Sequence, residues 1–536
     1  MPRDTSKYRV IFNHDGTCVF TTQTPYQRVQ DPVGVAQVYG HVDEVADAGC
    51  DALLLSPYWC QTIPMWDSER VPLWRGRGRT MECPDTFQGR AISRMRDFVL
   101  SGNDFVGLTR ERCRERGIAF FLAWRMFDVH GLDHPHDPWT SDFYRASPQF
   151  RIGPTSDPVW NGEISLDFSY PEVRAHQLDI IREFVERYPV EGIELDFLRN
   201  PCLFGRAIPY EQRAAALREY LLQVRAILDA IGPDRPVGAR VPQRWDLSLE
   251  LGLDLEAWVK DGLVDMVNVS SCYETCTDND LPIYRAELPG ARIFGEITQC
   301  SSMVQSIELG LEYCRKCTPE IVRSTAEAFL AQGADGISLF NFVYYRDYSF
   351  GVVEKPDKFE PPFASLRGLA DRRKLADEPK HYVLARQRCF HQGQLPLDLS
   401  NPGSRHLQLE LLVGQDFTDP SAREPFHGTA VLRLQFEGPA DGLEVTVRRS
   451  GRLLKPCRVD GELFPTPYIE GVPTDHAYAL DYELPLELLG MGPNRFTLRL
   501  HKGDAAVVTR LEVAVYRKDG YCPQLHAPDA DGLLAG

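Results

Sequence analysis

The chain predicts a (β/α)8 TIM barrel over residues 1–380 and an all-β sandwich of jelly-roll type over 401–520. Three observations predict it. Eight short apolar runs alternate with helical patterns up to about residue 375, as in parallel βαβ units. From about residue 400 short runs alternate polar and apolar residues between Gly, Pro, Asp and Asn, as antiparallel strands with one wet face do. No G-x-G-x-x-G turn appears, which disfavours an open doubly wound sheet.

The first strand is Tyr8–Phe12, ending in Asn13-His-Asp-Gly16. A helix over Val33–Ala48 leads to the run Asp51–Pro57, with Tyr58 and Trp59 just past its end. Residues 60–100, rich in Arg, Pro and Trp, read as an extended loop. A helix at Asp104–Arg116 precedes the third run, Ile118–Ala123, which is followed by Trp124, Arg125, Asp128 and His130. A helix at Glu172–Arg187 precedes the fourth, Glu191–Phe197. Helices at Tyr210–Ala230, Leu249–Asp261, Leu281–Leu288 and Pro319–Gln332 separate runs five to eight, Val237–Pro242, Val264–Ser270, Ala291–Thr298 and Asp335–Asn341. A last helix is expected at Ala364–Ala376, then a linker over 381–400. The sandwich strands are His406–Leu412, Thr429–Phe436, Leu443–Arg448, Asn494–Leu500 and Val507–Tyr516, and 521–536 reads as a tail.

The net charge of −17 argues against nucleic acid and anionic membrane surfaces as partners, because both require basic patches. No run approaches the ~18 apolar residues of a membrane span, and no signal-peptide pattern opens the chain, so a cytoplasmic location is expected. The 14 cysteines are scattered. Cys272 with Cys276, and Cys300 with Cys314 and Cys317, form no repeated Cys-x-x-Cys pair, so buried free thiols are expected and no cofactor or metal.

Barrel chemistry sits at the C-terminal ends of the strands. Those ends here carry Asn13 and Asp15; Trp59; Trp124, Arg125, Asp128 and His130; Glu194, Asp196 and Arg199; Arg240; Tyr273 and Glu274; Glu296; and Asn341 and Tyr344. Amides, carboxylates and arginines meet hydroxyls, and Trp and Tyr meet the apolar faces of sugar rings. Two opposed carboxylates suit glycoside hydrolysis, with one as general acid and the other as nucleophile or base. Asp196 as proton donor and Glu296 as nucleophile or base, on strands four and seven, are that pair, and the remaining thirteen residues with Glu194 are expected to contact substrate. Strand alternation puts Glu194 on the face of Asp196, one layer deeper. There it orients Arg125 or Arg240, or raises the Asp196 pKa by like charge.

The run Gly192-Ile-Glu-Leu-Asp-Phe-Leu-Arg-Asn-Pro201 is similar to the Gly-Ile-x-Leu-Asp-Tyr-x-Arg-x-Pro strand of family-ten-xylanase-like barrel proteins. That group's strand-four Asp falls on Asp196. Residues 5–375 also resemble clan A glycoside hydrolases, whose strand-seven Glu falls on Glu296. Clan A carries Asn-Glu at the end of strand four, where this chain has Leu195-Asp196. The resemblance implies an O-glycosyl hydrolase; the absent leader pattern points to exo action on oligosaccharides or glycosides. Two other readings compete. One is a metal-dependent sugar isomerase or epimerase holding its ion with Glu194, Asp196, Glu296 and histidines. The other is a non-catalytic carbohydrate-binding protein. The sandwich is expected to bind sugar, pack, or mediate a homo-oligomer.

Overall fold

The computed structural model describes residues 3–21, 32–59, 63–85, 87–129, 139–153, 164–199, 201–306, 311–346, 360–386, 393–400, 407–440, 442–465, 479–503 and 506–526. Eight parallel strands close into a barrel in chain order: Val10–Asp15, Ala52–Ser56, Ala119–Arg125, Gly192–Asp196, Val237–Pro242, Met266–Ser270, Arg292–Thr298 and Gly336–Phe340. They are called strands 1 to 8 below. Antiparallel sheets follow. The chain divides into two compact units. The first is Met1–Cys272, Pro282–Glu296 and Ser338–Phe363; the second is Tyr273–Leu281, Ile297–Ile337 and Ala364–Gly536.

Period-two alternation grades the barrel lumen from apolar to polar. Ile11, Leu54, Phe121, Ala123, Met266 and Phe294 cluster in its lower part. Gly192 lies opposite Phe121 in the strand register. A Cβ on Gly192 would stand 2.2 Å from the Phe121 ring, so glycine is what lets that ring fill the barrel. Burying such a side chain contributes about 1.5–3 kcal/mol. Two residues further along each strand the inward positions become Asn13, Glu194 and Asn268, which begins the polar layer.

Surrounding helices follow local signals. Asp104 caps Phe105–Arg116 by accepting from Gly107 N at 3.1 Å, and Gly117 closes it at φ 71°. The expected helix Leu249–Asp261 is two, Trp245–Glu250 and Leu255–Lys260. Gly252 breaks it at φ 86°, and Asp254 starts the second piece by accepting from Ala257 N. The expected loop 60–100 contains the helix Phe87–Leu100. Its apolar positions Ala91, Ile92, Met95, Phe98 and Val99 share one face and are buried; the interspersed arginines hide this period. The expected last helix, Ala364–Ala376, reduces to short turns at Phe363–Leu366 and Arg372–Leu375.

In the second unit one sheet orders Lys380–Ala385, Val507–Val515, Thr429–Phe436, Ala479–Pro485, Lys455–Val459 and Leu525–His526. A four-stranded sheet orders Leu407–Val413, Gly492–Lys502, Glu444–Arg449 and Arg452–Leu453. Leu409, Leu411, Phe496 and Leu498 of the smaller sheet share one core with Leu432, Leu434, Leu484 and Leu511 of the larger. Lys380–Ala385, most of it within the stretch 381–400 read as linker, is thus a sheet strand. Its Lys380 Nζ donates to Glu327 Oε1 at 3.0 Å and its Tyr382 hydroxyl to Glu327 Oε2 at 3.0 Å. Of residues 521–536, read as a tail, Leu525–His526 is a strand paired with Arg458 and Val459, and 527–536 lie outside the described residues.

Candidate active site

The polar layer is organised by Arg240, which is 0% exposed. Asp196 stands opposite Arg240 in the strand 4–strand 5 register, and Glu194 opposite Gly238. The guanidinium therefore meets the outer carboxylate of strand 4, and the deeper one faces a glycine. Arg240 Nη1 donates to both Asp196 oxygens at 3.0 Å. Its other edge grips Glu296: Nε donates to Oε2 at 2.9 Å and Nη2 to Oε1 at 2.7 Å. Nη2 also reaches Ser270 Oγ at 3.1 Å and the Cys272 carbonyl at 3.3 Å. Cys272 presents that carbonyl from a left-handed turn at φ 76°. The guanidinium lies over the Phe340 ring, 3.8 Å from its centroid, a cation–π contact that helps offset desolvation.

The two carboxylates differ in their remaining hydrogen bonds. Glu296 also accepts from Asn268 Nδ2 at 2.8 Å, from the Ser270 hydroxyl and from Ser338 Oγ at 3.4 Å. Both of its oxygens are saturated. Asp196 Oδ1 accepts the backbone N–H groups of Leu198 at 2.9 Å and Arg199 at 3.0 Å. Among the described residues, Asp196 Oδ2 takes Arg240 Nη1 alone, and a carboxylate oxygen has room for a second donor or an electrophile.

Glu194 accepts from Asn13 Nδ2 at 2.5 Å and Asn268 Nδ2 at 3.3 Å. Burial, then the charges of Glu296 and Asp196, push its pKa up to about 8; Arg240 offsets only part of this. Three carboxylates lie around one guanidinium that pairs with two of them, and a proton on Glu194 offsets the excess charge. Burial alone would lower the Arg240 pKa, but Asp196 and Glu296 hold it well above the ordinary range.

A second arginine sits at the end of strand 3. Arg125 Nη2 donates to Asp15 Oδ2 at 2.7 Å and Nη1 to Asp128 Oδ2 at 2.7 Å. Burial would raise the Asp15 pKa, yet Arg125 and the Thr17 hydroxyl, with Arg199 contributing, bring it below the usual value. Tyr344 joins this end through a 2.8 Å hydroxyl contact with Thr17. Asn341, at φ 52°, turns the chain out of strand 8, and its carbonyl accepts from Tyr344 N at 2.9 Å.

The structure thus brings together Asn13, Asp15, Arg125, Asp128, Glu194, Asp196, Arg199, Arg240 and Glu296 among the residues expected at the site. Neither arginine pairs with Glu194, one of the two roles expected for it, because the register gives Glu194 the glycine and the asparagines. Trp124 alternates with Arg125 and is buried on the opposite face, stacked on Tyr58 at 5.6 Å, so it is not a lumen residue. Trp59 lies half-buried in a short hairpin with Ile63. Tyr273 and Glu274 belong to the second unit, where Glu274 bridges to Cys300. His130 lies outside the described residues. Ser338 was not expected; a polar residue inside an apolar run, on the same face as Phe340, was the available signal. Asn268 and Ser270, both strand-end residues, turn out to be direct partners of Glu296.

Fold and lumen together define a (β/α)8 barrel with a polar, carboxylate-rich lumen, followed by antiparallel sheets. No family model matches the chain, and no curated protein matches it. Solved structures do. A maltogenic α-amylase from Thermotoga neapolitana shares 12% identity at a TM-score of 0.39, over 93% of this chain and 100% of that one. A bacterial fucosidase shares 10% at 0.37, over 94% and 96%. A GH36 α-galactosidase from Geobacillus stearothermophilus shares 12% at 0.36, over 96% and 56%. At these values the likeness is one of architecture.

Proposed function

We propose that the barrel is a glycoside hydrolase acting on oligosaccharides or glycosides, with Asp196 carrying the reacting oxygen. The observation that carries this reading is the asymmetry around Arg240: Asp196 Oδ2 keeps capacity, whereas both Glu296 oxygens are filled. A two-carboxylate mechanism needs one ionised and one protonated group at the working pH. Asp196, paired to Arg240, is the anion that attacks the anomeric carbon or activates water. Glu194, protonated up to about pH 8, is the acid of the cluster. Glu296 becomes a positioning residue acting through Arg240, a different division of labour from the one the sequence suggests. The carboxylate excess also favours the positive charge of an oxocarbenium-like transition state.

The metal-dependent isomerase reading loses support, because the guanidinium already occupies the space between Asp196 and Glu296. A panel of aryl glycosides and oligosaccharides tests the proposal, comparing wild type with Asp196→Asn. Turnover by wild type and its loss by at least about a thousandfold in the variant, with the fold intact by circular dichroism, is the expected result. Sugar binding without turnover in wild type would instead make the barrel a carbohydrate-binding protein.

A further inference from the structure

Strand 1 carries polar residues on both faces. Asn13 and Asp15 point into the lumen, where they meet Glu194 and Arg125. His14 alternates to the other face, towards the helix layer, which in such barrels is apolar. There it meets Cys18, from the short helix Cys18–Thr21, and His41, from the helix Val35–Asp47. His41 occupies the buried stripe that otherwise carries Val38, Val42 and Val45. All three side chains are at most 2% exposed.

We propose that His14, Cys18 and His41 form a binding site for a borderline-soft divalent cation, zinc above all. Their ligand atoms all lie within 4.8 Å of one another, and no other group of three His, Cys, Asp or Glu side chains converges so among the described residues. Cys18 Sγ stands 3.5 Å from His14 Nε2. In tetrahedral zinc sites, with Zn–S near 2.3 Å and Zn–N near 2.0–2.1 Å, sulfur and nitrogen ligands are about 3.5 Å apart. The two imidazole rings are 5.4 Å apart and inclined at 84°, so their nitrogens approach the same space from different directions. Two nitrogens and a thiolate suit zinc better than magnesium or calcium.

The local chain is built to hold the cysteine under the strand end. Asp15 Oδ1 accepts from Thr17 N at 3.1 Å and from Thr17 Oγ1 at 2.7 Å. Gly16 N donates to the Ser56 carbonyl at 3.2 Å. A Cβ on Gly16 would come within 2.7 Å of both Ser56 O and Met65 Sδ, so the tight turn needs glycine. On binding, the Cys18 S–H bond breaks, its proton leaves to solvent and an S–Zn bond forms. Three protein ligands leave one further coordination position. The site lies on the opposite face of strand 1 from the Arg240 cluster, and its role is to fasten strand 1 to the helix layer.

Zinc content and cobalt spectroscopy on the full chain test this independently of any hydrolase activity. Chelator-stripped wild type should take up one equivalent of zinc, and with Co2+ it should show a thiolate-to-metal charge-transfer band. Cys522→Ser, which removes an exposed thiol, should behave as wild type. Cys18→Ser and His41→Gln should lose the equivalent, and Cys18→Ser the band. Circular dichroism establishes that each variant is folded; if Cys18→Ser fails to fold, His41→Gln carries the comparison. Absence of the band in wild type, or full zinc uptake by a folded Cys18→Ser or His41→Gln variant, overturns the proposal.

Discussion

Replacing Glu194 by Gln should change how stability depends on pH more than it changes stability at low pH. Folding moves this carboxyl from an ordinary 4.5 to about 8, by burial first and by the charges of Glu296 and Asp196 second. Between those values the native chain holds a proton that the unfolded chain has released, so stability falls as pH rises through the window. Below about 4.5 both states are protonated and the full stability is present; above about 8 the loss is complete. At ~1.36 kcal/mol per unit, the shift corresponds to a fall on the order of 5 kcal/mol. Gln keeps the shape and cannot ionise, so it removes this component. The assay is urea unfolding of wild type and Glu194→Gln at about pH 5 and about pH 8.5. The variant should gain on wild type by several kcal/mol between the two. A difference that is the same at both pH values, within about 1 kcal/mol, would show that Glu194 is ionised in the native barrel and that the charge argument around Arg240 fails.

Two other perturbations probe the same lumen. Arg240→Met removes the guanidinium shared by Asp196 and Glu296 and should cost about 3–5 kcal/mol, read by chemical denaturation; a cost under about 1 kcal/mol would mean that the carboxylates are compensated elsewhere. Gly192→Ala drives a methyl into the Phe121 ring and should cost about 1–3 kcal/mol. Phe121→Leu in the same chain should recover part of it, and additive losses in the double variant would refute the contact. The catalytic reading adds that kcat/KM falls as pH rises through about 8, as Glu194 loses its proton.

The eight barrel strands were legible because a parallel strand covered on both faces must be a short, nearly continuous apolar run. The strand-end carboxylates were legible for the same reason: Glu194, Asp196 and Glu296 interrupt such runs at alternate positions. What was not legible was pairing at a distance. Nothing in Val237–Pro242 says that Arg240 will stand opposite Asp196 and reach Glu296; that follows from register and barrel closure. The hairpin Cys300–Ser306 with Leu311–Lys316 escaped notice because its strands are polar and short of β-branched residues. Trp124 and Arg125 are neighbours on one strand, so only one of them faces the lumen, and the apolar run before them does not say which. The cluster of His14, Cys18 and His41 spans a strand and two helices, and no local spacing announces it.

The two units interleave in sequence. The second takes its residues from Tyr273–Leu281, Ile297–Ile337 and Ala364–Gly536, so neither unit is a contiguous stretch of chain. On the ribosome the helix Pro319–Ala331 emerges well before the strand that carries Lys380 and Tyr382, the partners of its buried Glu327. That carboxylate therefore waits some fifty residues of synthesis for its counterion. A gene cut between residues 363 and 380 would deliver the first unit together with orphaned pieces of the second, exposing the helix face that carries Glu327. No single scission and no circular permutation isolates either unit, because their segments alternate along the chain.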